Sequence, residues 1–102
     1  MYAVIFRAKM KGQDEAYVSM AQSMRDLAKD KYGCTEFVSV TEGSDEITIS
    51  YWDTLEQIRA WKQDARHLAA QNLGKSAWYQ SYHVQVTEVL REYESVGASE
   101  TI

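Results

Sequence analysis

Two imidazoles, His67 and His83, are the groups in this chain able to take up and return a proton near neutral pH. They fall in or beside a stretch crowded with rings: Tyr51, Trp52, Trp61, Trp78, Tyr79 and Tyr82 all lie between positions 51 and 82. A base beside apolar aromatic walls suits removal of a phenolic proton, whereas the same rings without a cavity would simply form a core. Each candidate has a plainer reading beside it. Trp61 is a natural core residue, His83 could be a half-buried polar residue of a sheet, and Cys34, just after Gly33, reads as a bland thiol rather than a nucleophile. The histidines show no recurring metal-ligand spacing, so no metal site is expected. No glycine cluster follows a strand, so no nucleotide loop is expected either.

The totals limit what can position these groups. A chain of 102 residues, 45% hydrophobic and 25% charged, reads as one ordinary soluble domain, expected over 1–95 with 96–102 as a flexible tail. No apolar run is long enough to span a membrane, and the first residues lack the basic lead-in of a signal peptide. A lone cysteine fits a reducing cytoplasm. A net charge of −4, with eleven scattered Lys and Arg, argues against a nucleic-acid partner.

The elements follow from periodicity. Tyr2 to Met10 alternates as a first strand, apolar on both sides up to Arg7. Tyr17, Met20, Ala21, Met24, Leu27 and Ala28 recur at helical spacing, with Arg25 and Asp26 assigned to the opposite side, and Gly33 stops that helix. Cys34 to Thr41 and Glu46 to Trp52 read as a hairpin across Glu42–Asp45. Tyr51 and Trp52 must face opposite sides of the latter strand. Thr54 and Gln57 form a capping box for a second helix, whose stripe includes Leu55, Ile58, Trp61 and Leu68. If that helix is unbroken, His67 lies roughly opposite the apolar stripe and faces solvent or the partner subunit; if it breaks near Asp64, itself a possible N-cap, His67 could turn inward. Gln80 to Tyr93 reads as a long last strand. The order β-α-β-β-α-β implies the ferredoxin-like α+β fold, a four-stranded antiparallel sheet with its helices on one face. The other face is too apolar for water, which predicts a homodimer formed by stacking it on a second copy.

The run Tyr51-Trp52-Asp53, Trp61-Lys62, His67, Ala70-Gln71, Gly74, Trp78-Tyr79, Tyr82 and Tyr93, with this order of elements, resembles the antibiotic biosynthesis monooxygenase (ABM) family of dimeric α+β barrels. The resemblance implies a cofactor-independent monooxygenase that oxidises an aromatic phenol or hydroquinone with molecular oxygen. Its catalytic residues would be His67, His83 and Trp61, and its apolar pocket would be walled by Phe6, Phe37, Tyr51, Trp78 and Tyr82. A non-catalytic small-molecule-binding or stress-associated dimer is the alternative. The haem-degrading branch is disfavoured. It places an asparagine on the first strand and a histidine ten residues after the tryptophan, where this chain has Phe6 and Arg7, and Gln71 after Trp61.

Overall fold

The structure is a computed structural model describing residues 1–12 and 14–96. Its elements are β1 (Tyr2–Met10), α1 (Glu15–Asp30), β2 (Glu36–Glu42), β3 (Asp45–Trp52), α2 (Leu55–Gln63), α3 (Ala65–Leu73), a π-helical turn (Gly74–Trp78) and β4 (Tyr79–Glu88). The sheet order is β2-β3-β1-β4, every neighbour antiparallel. This is the expected ferredoxin-like α+β arrangement, with α1, α2 and α3 on one face.

Local chemistry sets the boundaries. The carboxylate of Asp14 accepts the Tyr17 N–H at 2.8 Å and starts α1. Gly33 turns the chain after that helix at φ +83°, a conformation costly for any residue with a Cβ. The Thr54–Gln57 capping box is formed and opens α2. Asp64 then ends α2 in extended geometry, and its side chain accepts the Arg66 N–H at 2.8 Å to begin α3. The second helix is therefore two helices. Its phase resets at the break, which leaves Leu68 and Leu73 about half exposed instead of continuing the apolar stripe.

The even-numbered residues of β1 face the helices. Val4 packs with Leu27, Ala28, Trp52, Ile58 and Trp61, while Ala8 and Met10 pack with Tyr17 and Trp78 in a second cluster. Trp52 is fully buried here, its indole N–H donating to Ser50 Oγ at 2.9 Å, and Tyr51 takes the other face. The last strand ends at Glu88, short of the expected Tyr93. Its sole neighbour in the sheet order, β1, runs out there: Glu88 pairs with Tyr2, and Val89 donates its N–H to the Met1 carbonyl. Beyond it, Leu90, Tyr93 and Val96 are 87%, 79% and 99% exposed. The expected tail over 96–102 falls, apart from Val96, outside the described residues.

Candidate functional site

A cavity of about 130 Å³, partly open to solvent, lies between the helices and the inner face of the sheet. Val4 and Phe6 of β1, Phe37 of β2 and Val84 of β4 give it an apolar floor. Met20 and Met24 of α1 and Trp61 of α2 roof it. Phe6 stacks on Tyr82 with ring centroids 5.8 Å apart and meets Tyr79 edge-on at 5.4 Å. Tyr82, 37% exposed, stands at the rim.

The break at Asp64 brings His67 into this wall. The His67 and Trp61 rings meet edge to face with centroids 4.3 Å apart, closer than any other ring pair among the described residues. Trp61 also touches Trp52 at 5.2 Å and Phe37 at 6.3 Å. Burial in this setting, with the Lys62 ammonium nearby, depresses the His67 pKa from 6.5 to about 4 against an opposing pull from Asp64. The imidazole is accordingly neutral at pH 7. Asp64 is in turn pinned by the Tyr32 hydroxyl, which donates to it at 2.7 Å; this bond, with the Arg66 N–H, holds its carboxyl at about 2.

Three buried side-chain nitrogens lack a hydrogen-bond partner among the described residues: Arg25 Nε, Trp61 Nε1 and His67 Nδ1. All three residues line the cavity. A native fold leaves few such groups unpaired, so their convergence on one space marks where a ligand's polar atoms would be received. At another part of the wall Glu46, 6% exposed, accepts a hydrogen bond from the Tyr17 hydroxyl. Burial first, and then this bond, hold the Tyr17 pKa far above its ordinary value; burial likewise raises that of Tyr79. The Ser39 and Thr48 hydroxyls, 2.9 Å apart, complete the polar lining of the floor.

The structure thus gathers His67, Trp61, Phe6, Phe37 and Tyr82 around one cavity and leaves three of the expected residues outside it. Tyr51 pairs with Ala3, and His83 with Arg7, so strand alternation turns both onto the sheet face away from the helices, where His83 is exposed. Trp78 is 4% exposed and packs edge-on against Tyr17 at 5.4 Å in the second core cluster. Arg25, Tyr17 and Glu46 were not among the expected site residues. Arg25 was legible in principle, since it follows Ala21 by four and precedes Ala28 by three, on the flank of the α1 stripe. Gln71, ten residues after Trp61, also lines the cavity. Among the described residues no group of three or more His, Cys, Asp or Glu is placed to hold a metal ion.

No family model matches the chain. It is 40% identical over 92 residues to the uncharacterised protein YqjZ of Bacillus subtilis, covering 89% of this chain and 81% of YqjZ. It is 26% identical over 99 residues to the jasmonate monooxygenase ABM of Pyricularia oryzae; 93% of this chain aligns, with 46% of that longer protein. Among solved structures, a variant of SnoaB, a cofactor-independent oxygenase from Streptomyces nogalater, superposes with a TM-score of 0.77 at 9% identity, covering 92% of this chain and 98% of that one. A Nitrosomonas europaea protein assigned as an antibiotic biosynthesis monooxygenase gives 0.74 at 16% identity, covering 89% and 100%. Likeness at these identities is likeness of fold.

Proposed function

We propose that this chain, which belongs to one family with YqjZ, is an antibiotic biosynthesis monooxygenase that oxidises a small phenol or hydroquinone with molecular oxygen and no bound cofactor. The observation that carries this reading is the neutral His67, its buried Nδ1 without a hydrogen-bond partner among the described residues, set against Trp61 in an apolar cavity. A phenol going to a quinone consumes one O₂: one oxygen atom joins the ring and the other leaves as water, taking the phenolic and ring hydrogens. His67 accepts the phenolic proton, the electron-rich carbon forms a bond to oxygen, and the proton returns to the departing hydroxide. The ring hydrogen leaves as the O–O bond breaks.

The weak basicity of His67 constrains this step. A base at about 4 facing a phenol near ~10 leaves the bare transfer about six powers of ten uphill. The proton moves productively only as an ion pair, phenolate beside imidazolium, with the Trp61 N–H facing the oxyanion in a medium poor in water. Oxygen uptake with a panel of single-ring phenols tests the reading. Turnover is expected in the wild type and at least a hundredfold loss in His67→Ala; the absence of uptake with every phenol that binds would leave a binding module and refute the oxygenase.

Under the same reading the protein works as a homodimer in the cytoplasm, where its free, buried Cys34 stays reduced. Val38, Val40 and Ile47 are 43%, 59% and 40% exposed on the face away from the helices, beside Ile5, Ile49 and Tyr51. A second copy stacked there covers them and offers Leu90 and Tyr93 a surface on which to lie.

A further inference from the structure

We infer that the ligand of this cavity carries a carboxylate, received by Arg25, on an apolar body of about one ring. The inference rests on the reading of the cavity as a substrate site, and not on the oxidation proposed to occur there. Arg25 rises from α1 and sets its guanidinium over the Phe37 ring, 5.4 Å from the centroid. Its Nε is sealed from solvent without a partner, and no ion pair among the described residues includes it. A guanidinium held this way has left part of its hydration without gaining an anion, an arrangement that favours a ligand able to supply one.

The other charges around the cavity point the same way. Lys62 also lines it, while His67 carries no proton at neutral pH and so does not compete for an anion. Glu46 is the acid among the lining residues, and it is already engaged by the Tyr17 hydroxyl. The remaining wall is aromatic and aliphatic, so the space is apolar with a cationic side. Its size restricts the body of the ligand: about 130 Å³ is close to the ~150 Å³ of an engineered cavity that admits benzene. Planar, bidentate recognition of a carboxylate is what guanidinium does better than ammonium.

The test is calorimetric titration with 3-(4-hydroxyphenyl)propanoate and its methyl ester, which differ in one charge and are alike in shape. The wild type is expected to bind the acid on the order of tenfold or more tighter than the ester. Arg25→Gln should lose that preference while keeping its affinity for the ester, and Arg25→Lys should keep part of it, with folding of both checked by circular dichroism. Equal binding of acid and ester by the wild type, no binding of the acid at millimolar concentration, or an unchanged preference in folded Arg25→Gln would each overturn the inference. The wild-type comparison decides even if the variants do not fold. Selective binding of the acid, with no oxygen uptake from it or from any other phenol that binds, would uphold the carboxylate site and refute the oxidation, so the two failures are distinguishable.

Discussion

His67 makes the fold's stability depend on pH in a window where few other groups titrate. Its pKa falls from 6.5 in the open chain to about 4 in the folded protein. Below about pH 6.5 the unfolded chain therefore binds a proton that the folded protein refuses. The contribution is whole above that pH, is lost as pH falls toward about 4, and stops changing once the folded protein is protonated too. The gap corresponds to at most ~3.4 kcal/mol, of which ~2 kcal/mol is lost by pH 5. Residual solvent access around a half-buried ring screens the effect, so ~1 to 2 kcal/mol at pH 5 is the expected size. Of the charges that set this pKa, Asp64 stays ionised throughout, with its carboxyl held at about 2.

The assay is urea unfolding of wild type and His67→Gln at pH 7, 6 and 5. Subtracting the variant removes the carboxylates common to both. The wild type should lose ~1 to 2 kcal/mol more than His67→Gln between pH 7 and 5, or roughly 4 to 15 °C in melting temperature for a domain of this size. Parallel curves would refute the burial of a neutral imidazole, and with it His67 as a proton acceptor inside the cavity. The same shift predicts that kcat/KM keeps its acid limb near pH 4, far below the ordinary histidine range.

Tyr17→Phe should destabilise the protein by ~1 to 3 kcal/mol in denaturant titration, because it strips the buried Glu46 carboxylate of its donor. The double variant Tyr17→Phe/Glu46→Leu should recover most of that loss. On the outer face of the sheet, Ile47→Lys should convert a dimer into a monomer in sedimentation equilibrium at micromolar concentration, whereas a wild type already monomeric there would remove the proposed interface. Asp64→Ala removes both the α3 cap and the acceptor of the Tyr32 hydroxyl. The proton titration of His67 followed by NMR should then move up from about 4 toward 6.5 as the ring leaves the cavity; an unchanged midpoint would show that the break does not depend on this carboxylate.

The sheet, the first helix and both caps of the second were legible because each rests on local rules. Alternation over Tyr2–Met10 and the stripe from Tyr17 to Ala28 are dictated by burial on one face, and Thr54–Gln57 is self-contained chemistry. The end of β4 was not local. Val89 to Tyr93 has strand-like residues, yet a strand needs a neighbour, and β1 begins at Tyr2. Pattern alone could not show that the partner strand was exhausted.

The site was half legible for a related reason. Choosing among Tyr51, Trp78, Tyr82 and His83 needs the register between strands, since one residue of slip exchanges the two faces. Once Ala8 stands opposite Tyr82 and Arg7 opposite His83, Tyr82 must face the helices and His83 must not. The position of His67 turned on one backbone torsion angle, set at Asp64. Six residues after Trp61 on a continuous helix it would lie about 120° around from it; the ψ of 137° at Asp64 instead brings the two rings together at 4.3 Å. The residue that holds that angle, Tyr32, sits just past the end of a different helix and donates to Asp64 across 32 positions of sequence. The pairing of His67 with Trp61 is therefore a product of tertiary structure: the second helix breaks at Asp64, and Tyr32, just past the first helix, donates to the carboxylate that caps the break.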